Sequence, residues 1–353
     1  MRENYERHVT KGGVESDKCE SFKSRRNSNL NIYVLVFWML LCQCCCTTAN
    51  HPPRVETARG IPSPQHPFVY LHNPKSGGST FRKYLHDTSH ILQLESFIPG
   101  YGDTSYIDHA LLPSFIATRH SLEQLPISFE NVSVFGGIFD WSLMDMLEGA
   151  QRQPTCYTHA RHPVDRTISW YYRFGYKKYS KLFSELSVDE LDIFMTETYV
   201  GVRPLSEVDP VFVNESSYFI HLDIFANANC RQLAGEVEVV GQVLSQNNSP
   251  LLGQWRVGKR TLQKAKTNSN RCLIGMFEER EASNAAVKHW LPWVHNASTV
   301  DVHEHGGGVR YSNKETRFTA PSHLTLRIEE LSYCDMELYS FQVEQFLRQK
   351  STK

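Results

Sequence analysis

Two stretches of this chain share one layout, and that layout restricts the fold more than any other feature. Phe68-Val-Tyr-Leu-His72 is a short apolar, β-prone run. Asn73-Pro-Lys-Ser-Gly-Gly-Ser-Thr80 follows as a polar loop, and Phe81-Arg-Lys-Tyr-Leu85 reads as helical. Thr155–Ala160 is a second strand candidate. Arg161-His-Pro-Val-Asp-Arg166 follows it, and Thr167–Tyr172 opens a helix in which Pro163 suits the first turn. Strand-then-helix units predict an α/β fold in which a parallel sheet is flanked by helices. In an open sheet of that kind, both loops face one crevice at the carboxyl ends of the strands.

The first loop has the chemistry of an anion site. Gly77 and Gly78 permit a tight turn that exposes backbone N–H groups, and Ser79 and Thr80 supply hydroxyls and a helix cap. The positive end of the helix dipole favours an anion there, and Lys75 adds a full charge beside Ser76. This is not a Walker A loop, because the lysine precedes the glycines, so a Mg²⁺-dependent nucleotide hydrolase is poorly supported. The plain alternative is a simple strand-to-helix turn. In the second stretch, Arg161 and Ser169 offer a guanidinium and a hydroxyl suited to a second phosphate. The alternative is that Asp165 and Arg166 form ordinary helix-end pairs.

Together the two stretches resemble sulfotransferases. Pro74–Thr80 (P-K-S-G-G-S-T) is similar to their 5′-phosphosulfate loop, and Arg161–Tyr172 to their 3′-phosphate motif, R-D-P-V-x-R-x-x-S-x-Y-Y. Tyr172-Arg-Phe-Gly175 resembles the Golgi glycosaminoglycan 2-O-sulfotransferases of the heparan sulfate and uronyl types. Cys272–Glu279 looks like their strand ending in an acidic pair, and Glu337–Leu347 like their terminal helix. The resemblance implies a P-loop-like fold that takes 3′-phosphoadenylyl sulfate as co-substrate, needs no metal, and sulfates a glycan hydroxyl. A uronic-acid 2-O position of a glycosaminoglycan is the implied acceptor. Carried over, Lys75, Ser76, Gly77, Gly78, Ser79 and Thr80 hold the 5′-phosphosulfate, and Arg161 with Ser169 the 3′-phosphate. Lys75 stabilises the departing oxygen.

The base does not carry over. The family's His-Gly-His stretch falls on Val134–Asp140, where Phe135 and Gly137 occupy the histidine positions. His120, Asp140 and His159 are the substitute candidates. His162 stands where the motif has aspartate. The alternative implied by these departures is a catalytically silent relative that binds nucleotide or glycan.

The chain has 353 residues, enough for one large α/β domain with appendages. Residues 1–29 are polar. Leu30–Cys46 is an almost uninterrupted apolar run of 17 residues, preceded by Lys23, Arg25 and Arg26. Residues 30–49 are therefore expected to be a signal-anchor, with a cytosolic tail before it and the rest in the lumen. A cleaved signal peptide and a buried core helix are the alternatives. Residues 50–67 hold five prolines and read as an extended stem, leaving 68–353 as the lumenal domain of a type II Golgi membrane protein. Four sequons, at Asn131, Asn214, Asn247 and Asn296, follow the anchor. Cys156, Cys230, Cys272 and Cys334 allow two disulfides in three connectivities, with buried free thiols as the alternative for Cys156 and Cys272.

Lys+Arg is 37 against Asp+Glu 38, so no bulk charge points to nucleic acid. A polyanionic glycan is expected on a local patch after the second motif, where Arg173, Lys177, Lys178 and Lys181 cluster; a solvated helix face is the alternative. Residues 186–200, 281–294 and 324–349 read as amphipathic helices that serve the core or contact a second copy of the chain. His303-Glu-His305 before three glycines reads as a surface loop rather than a metal site.

Overall fold

The central strand β1 (Phe68–Leu71) is buried at every position, as its unbroken apolar sequence requires of a strand covered on both faces. The computed structural model describes residues 59–99, 119–123, 128–196, 201–203, 219–221, 225–236, 257–297 and 320–351. All of these belong to one unit, Asn50–Lys353. The anchor at 30–49, the sequons at Asn214 and Asn247, and His303–His305 lie outside the described residues. Among the described residues, no helix is long and apolar enough to cross a membrane.

On one side β1 pairs with β3 (Val134–Gly137), which pairs in turn with the short β2 (Ser96–Phe97). On its other side β1 pairs with β4 (Thr155–Ala160), and β4 pairs with β7 (Cys272–Met276). All four pairings are parallel, giving the order β2-β3-β1-β4-β7. A separate antiparallel ribbon joins β5 (Gly201–Arg203) to β6 (Phe219–His221).

The helices are α1 (Gly78–Ile91), α2 (Arg119–Glu123), α3 (Ser142–Gly149), α4 (Pro163–Trp170), α5 (Tyr176–Tyr179) and α6 (Val188–Thr196). They continue with α7 (Ala228–Ala234), α8 (Lys259–Ser269), α9 (Arg280–Trp290), α10 (Pro292–Ala297), α11 (Ser322–Leu331) and α12 (Tyr333–Ser351). A π-helical turn, Tyr171–Gly175, links α4 to α5. The main core surrounds the sheet. A second cluster, including Ile168, Trp170, Phe194, Phe225 and Ile328, is built from α4, α6, α11 and the segment before α7.

Two expected helices are each divided. Pro292 lacks an N–H and separates α9 from α10. The pattern over 324–349 breaks at Ser332, where the Asn227 Oδ1 accepts the N–H groups of Cys334 and Asp335 at 2.9 and 3.3 Å and caps α12 anew.

Cys156, Cys230, Cys272 and Cys334 are all paired. Cys156 joins Cys272, its register partner on the neighbouring strand, so these two are not free thiols. Cys230 joins Cys334, tying α7 to α12. The β7 edge is covered by α12: Gln349 Oε1 accepts the Ile274 N–H at 3.0 Å, and Gln345 and Gln349 both donate to the Cys272 carbonyl at 2.9 Å.

Arg166 does not pair with Asp165. It reaches across the core to Asp335, with the two side chains 2% and 1% exposed. Asp335 Oδ1 also accepts the Cys230 N–H at 2.8 Å, and Arg166 Nη1 donates to Asn73 Oδ1 at 2.9 Å. Asp335→Ala strands a buried guanidinium and should therefore lower unfolding stability by about 3–5 kcal/mol. Urea denaturation checks this, and a loss under about 1 kcal/mol would show that the pair contributes no more than a surface ion pair.

Candidate functional site

Adjacent strands β1 and β4 feed connections that leave in opposite directions. The chain after β1 crosses to β2 at one edge, and the chain after β4 goes on to β7 at the other. This divergence opens a crevice at their carboxyl ends, the usual ligand position in a parallel α/β sheet. The two loops singled out in the sequence flank it.

The first loop is tightly wound. The Ser76 N–H donates to the Asn73 carbonyl at 3.2 Å. Lys75 and Gly77 both have left-handed backbones, with φ of 66° and 82°. Gly77 suits that conformation, whereas Lys75 holds it at a cost typical of functional loops. A Cβ on Gly77 would lie 2.9 Å from the Phe277 ring, and one on Gly78 would collide with His72 and the Tyr70 hydroxyl. Helix α1 begins at Gly78 with Gly77 as its N-cap. It has neither a side-chain cap nor an acidic residue in its first turn. Ser79 and Thr80 thus lie inside the first turn rather than at the cap.

The second loop closes onto the first. Arg161 Nη1 donates to the Lys75 carbonyl at 2.8 Å, and its guanidinium lies over the Phe277 ring, 4.3 Å from the centroid. Arg280 approaches the same ring at 5.2 Å. Glu278, the first of the acidic pair, accepts the His162 N–H at 2.7 Å and the Tyr339 hydroxyl at 3.2 Å. Ser169 lies in the last turn of α4 and is partly exposed.

Buried polar atoms around this loop lack partners. Asn73 Nδ2, Ser76 Oγ, Arg161 Nε and His72 Nδ1 make no side-chain hydrogen bond. Leaving such a group unsatisfied costs about 1–3 kcal/mol. Three of the four are N–H or O–H donors placed beside a helix N-terminus and Lys75, and this donor set fits an anion.

The proposed bases fall in different surroundings. His159 is enclosed by Tyr70, Phe81 and Tyr157 on the α1 face of the sheet. Its Nδ1 and Nε2 each meet a tyrosine hydroxyl, of Tyr70 and Tyr157, at 2.9 Å. Burial pushes its pKa down to about 4, and both nitrogens are committed to packing rather than to the crevice. Asp140 is fully buried, and its Oδ1 accepts the Ser142 N–H at 3.0 Å, which anchors the start of α3. The Ser142 hydroxyl also donates to that carboxylate. The same hydroxyl oxygen accepts the Arg119 N–H at 2.6 Å, which sets the backbone of α2, and with it His120, beside Asp140. The His120 and Ser79 side chains, with those of Arg173, Lys177 and Lys178, lie outside the described residues.

At the end of β3, Phe135 is fully buried and Gly137 is packed under the Phe139 ring. Sequence reading passed over His72 and Gln232. Gln232 Nε2 bridges the carbonyls of His72 and Phe139 at 3.1 and 2.8 Å, joining the ends of β1 and β3. Only the place of His72 at the root of the loop marked it in advance.

Ser76→Ala removes a fully buried hydroxyl that has no partner. Its thermal stability should match or exceed that of the natural protein by up to about 1 kcal/mol, while pyrophosphate affinity falls several-fold. Loss of stability with unchanged affinity would mean that Ser76 is a packing residue. No family model matches the chain, and no curated protein sequence matches it significantly.

Proposed function

We propose that the protein is a sulfotransferase that moves the sulfuryl group of 3′-phosphoadenylyl sulfate to a glycan hydroxyl. The observation that carries this reading is the junction of the two loops: Arg161 bonded to the Lys75 carbonyl beside an uncapped helix start and several unpartnered buried donors. Two anion-binding elements at one switch point suit a nucleotide with phosphates at both ends of its ribose. The glycosaminoglycan acceptor, its uronic-acid 2-O position, and a single-pass type II Golgi anchor at 30–49 belong to the same proposal. They rest on the motif resemblance and the basic-flanked apolar run.

In this reading the acceptor oxygen attacks sulfur in line as the bridging S–O bond breaks. Negative charge then grows on the departing phosphate oxygen. Lys75 and the first N–H groups of α1 stabilise that charge more in the transition state than in the ground state. Arg161 holds the far phosphate. A silent, nucleotide-binding relative is the second reading, favoured by the apolar end of β3, where Phe135 and Gly137 offer no titratable group.

Incubation with labelled 3′-phosphoadenylyl sulfate and a panel of glycosaminoglycans separates the two. Nucleotide binding without transfer to any acceptor selects the silent relative. In an active protein, Lys75→Ala should lower turnover by roughly 10²–10³ with the fold intact, the scale of one lost electrostatic contact. Near-normal transfer by folded Lys75→Ala protein would remove this loop from the reaction. Arg161→Ala should instead weaken nucleotide binding, by about 1.5–3 kcal/mol for a charged hydrogen bond. Equilibrium titration with the desulfated nucleotide measures that loss.

A further inference from the structure

His72 is the buried group at this site that neither loop motif uses. It directly follows the central strand and precedes the first loop. Its N–H donates to the Gly137 carbonyl at 2.8 Å, and its own carbonyl is held by Gln232 at 3.1 Å, so the backbone is fixed on both sides. The ring is 4% exposed and lies parallel to Tyr70, with centroids 5.8 Å apart and planes 13° from parallel. Its Cδ2–Nε2 edge abuts Gly78, where any Cβ would collide with it. The opposite edge carries Nδ1, which has no hydrogen-bond partner. One edge of the ring is thus packed, and the remaining nitrogen is buried without a partner beside the first loop. Such an unsatisfied buried group calls for an explanation, and a catalytic role is one.

We propose that His72 is the proton acceptor of the transfer reaction, an inference that rests on the sulfotransferase reading above. As the acceptor oxygen bonds to sulfur and the bridging oxygen leaves with the phosphate, the hydroxyl proton passes to His72 Nδ1. Atoms and charge balance with the sulfated glycan, the desulfated nucleotide and an imidazolium that later releases its proton to solvent. The other histidine described beside the loop, His159, has both nitrogens bonded to tyrosines.

The surroundings fit a base that is neutral before the donor binds. Burial first, then the charges of Arg82 on α1, His159 on β4 and Lys75 in the loop, hold the His72 pKa well below its ordinary 6.5. Among the described residues Tyr70 on β1 also lies beside the ring, and Gly137 and Gln232 bring no charge. Bound phosphosulfate is an anion beside Lys75, so it opposes those positive charges and raises the His72 pKa. A base works only while neutral, so activity is lost as pH falls through its pKa. The acid limb of kcat/KM, which reports the free protein, should lie well below pH 6.5. The acid limb of kcat, which reports the complex, should lie at a higher pH than that of kcat/KM.

The test uses the full chain, 3′-phosphoadenylyl sulfate as donor, and chondroitin, dermatan and desulfated heparan sulfate as acceptors. His72→Gln and His72→Asn keep polar groups at the position without a titratable nitrogen. Both should bind desulfated nucleotide within about 3-fold of the natural protein and lose about 10²–10⁴-fold in kcat, with no acid limb in the residual rate. Transfer by either variant within a few-fold of normal, or an acid limb kept at its original pH, overturns the assignment to His72 and leaves the sulfotransferase reading standing. A natural protein that binds no nucleotide defeats that reading instead.

Discussion

The ion pair of Arg166 with Asp335 lies at the meeting point of four segments. Removing both charges from water costs several kcal/mol per ion, and their mutual attraction alone seldom offsets this. The surroundings supply the difference. Asp335 takes backbone N–H groups of Cys230 and Asn229, and Arg166 lies 4.8 Å from the Phe225 ring while donating to Asn73. The root of the first loop, the second motif's helix, α7 and α12 are thereby held in one arrangement. With Oδ1 taken by Arg166, the Asn73 amide is fixed in orientation, and its Nδ2 lies buried without a partner at the root of the first loop. An apolar core of equal volume could match the stability but would not orient that amide.

The same logic separates the roles of the two arginines in the second motif. Arg161 precedes α4 and reaches the crevice, and Arg166, one turn and a half further on, points into the core. One helix start therefore delivers a guanidinium that joins the two loops and another that serves the core. The Cys230–Cys334 disulfide stands beside the second of these, with Cys334 adjacent to Asp335 in the chain. A covalent link at that point limits how far α7 and α12 can drift from the pair they share.

How much of this was legible in the sequence depended on range. The strands β1 and β4 and the turns after them were readable because apolar runs, glycines and prolines act locally. Lys75 and Arg161 were found as motif residues, and the structure brings them together. The break at Ser332 was not readable, since the apolar pattern runs through it and the cap comes from Asn227, over a hundred positions earlier. Disulfide pairing was hidden for the same reason. His159 was singled out by its closeness to Arg161. The two-residue alternation of a strand places it with Tyr157 against α1, and two tyrosine hydroxyls occupy its ring. His72 and Tyr70 share one strand face in the same way, and only the packing of Gly78 shows which edge of the imidazole remains.

The glutamines of α12 give that helix a task beyond packing. Gln349 serves both an N–H and a carbonyl of β7, and Gln345 serves the same carbonyl. Without the two glutamines the outer rim of the sheet would be bare, a template on which a second sheet could grow.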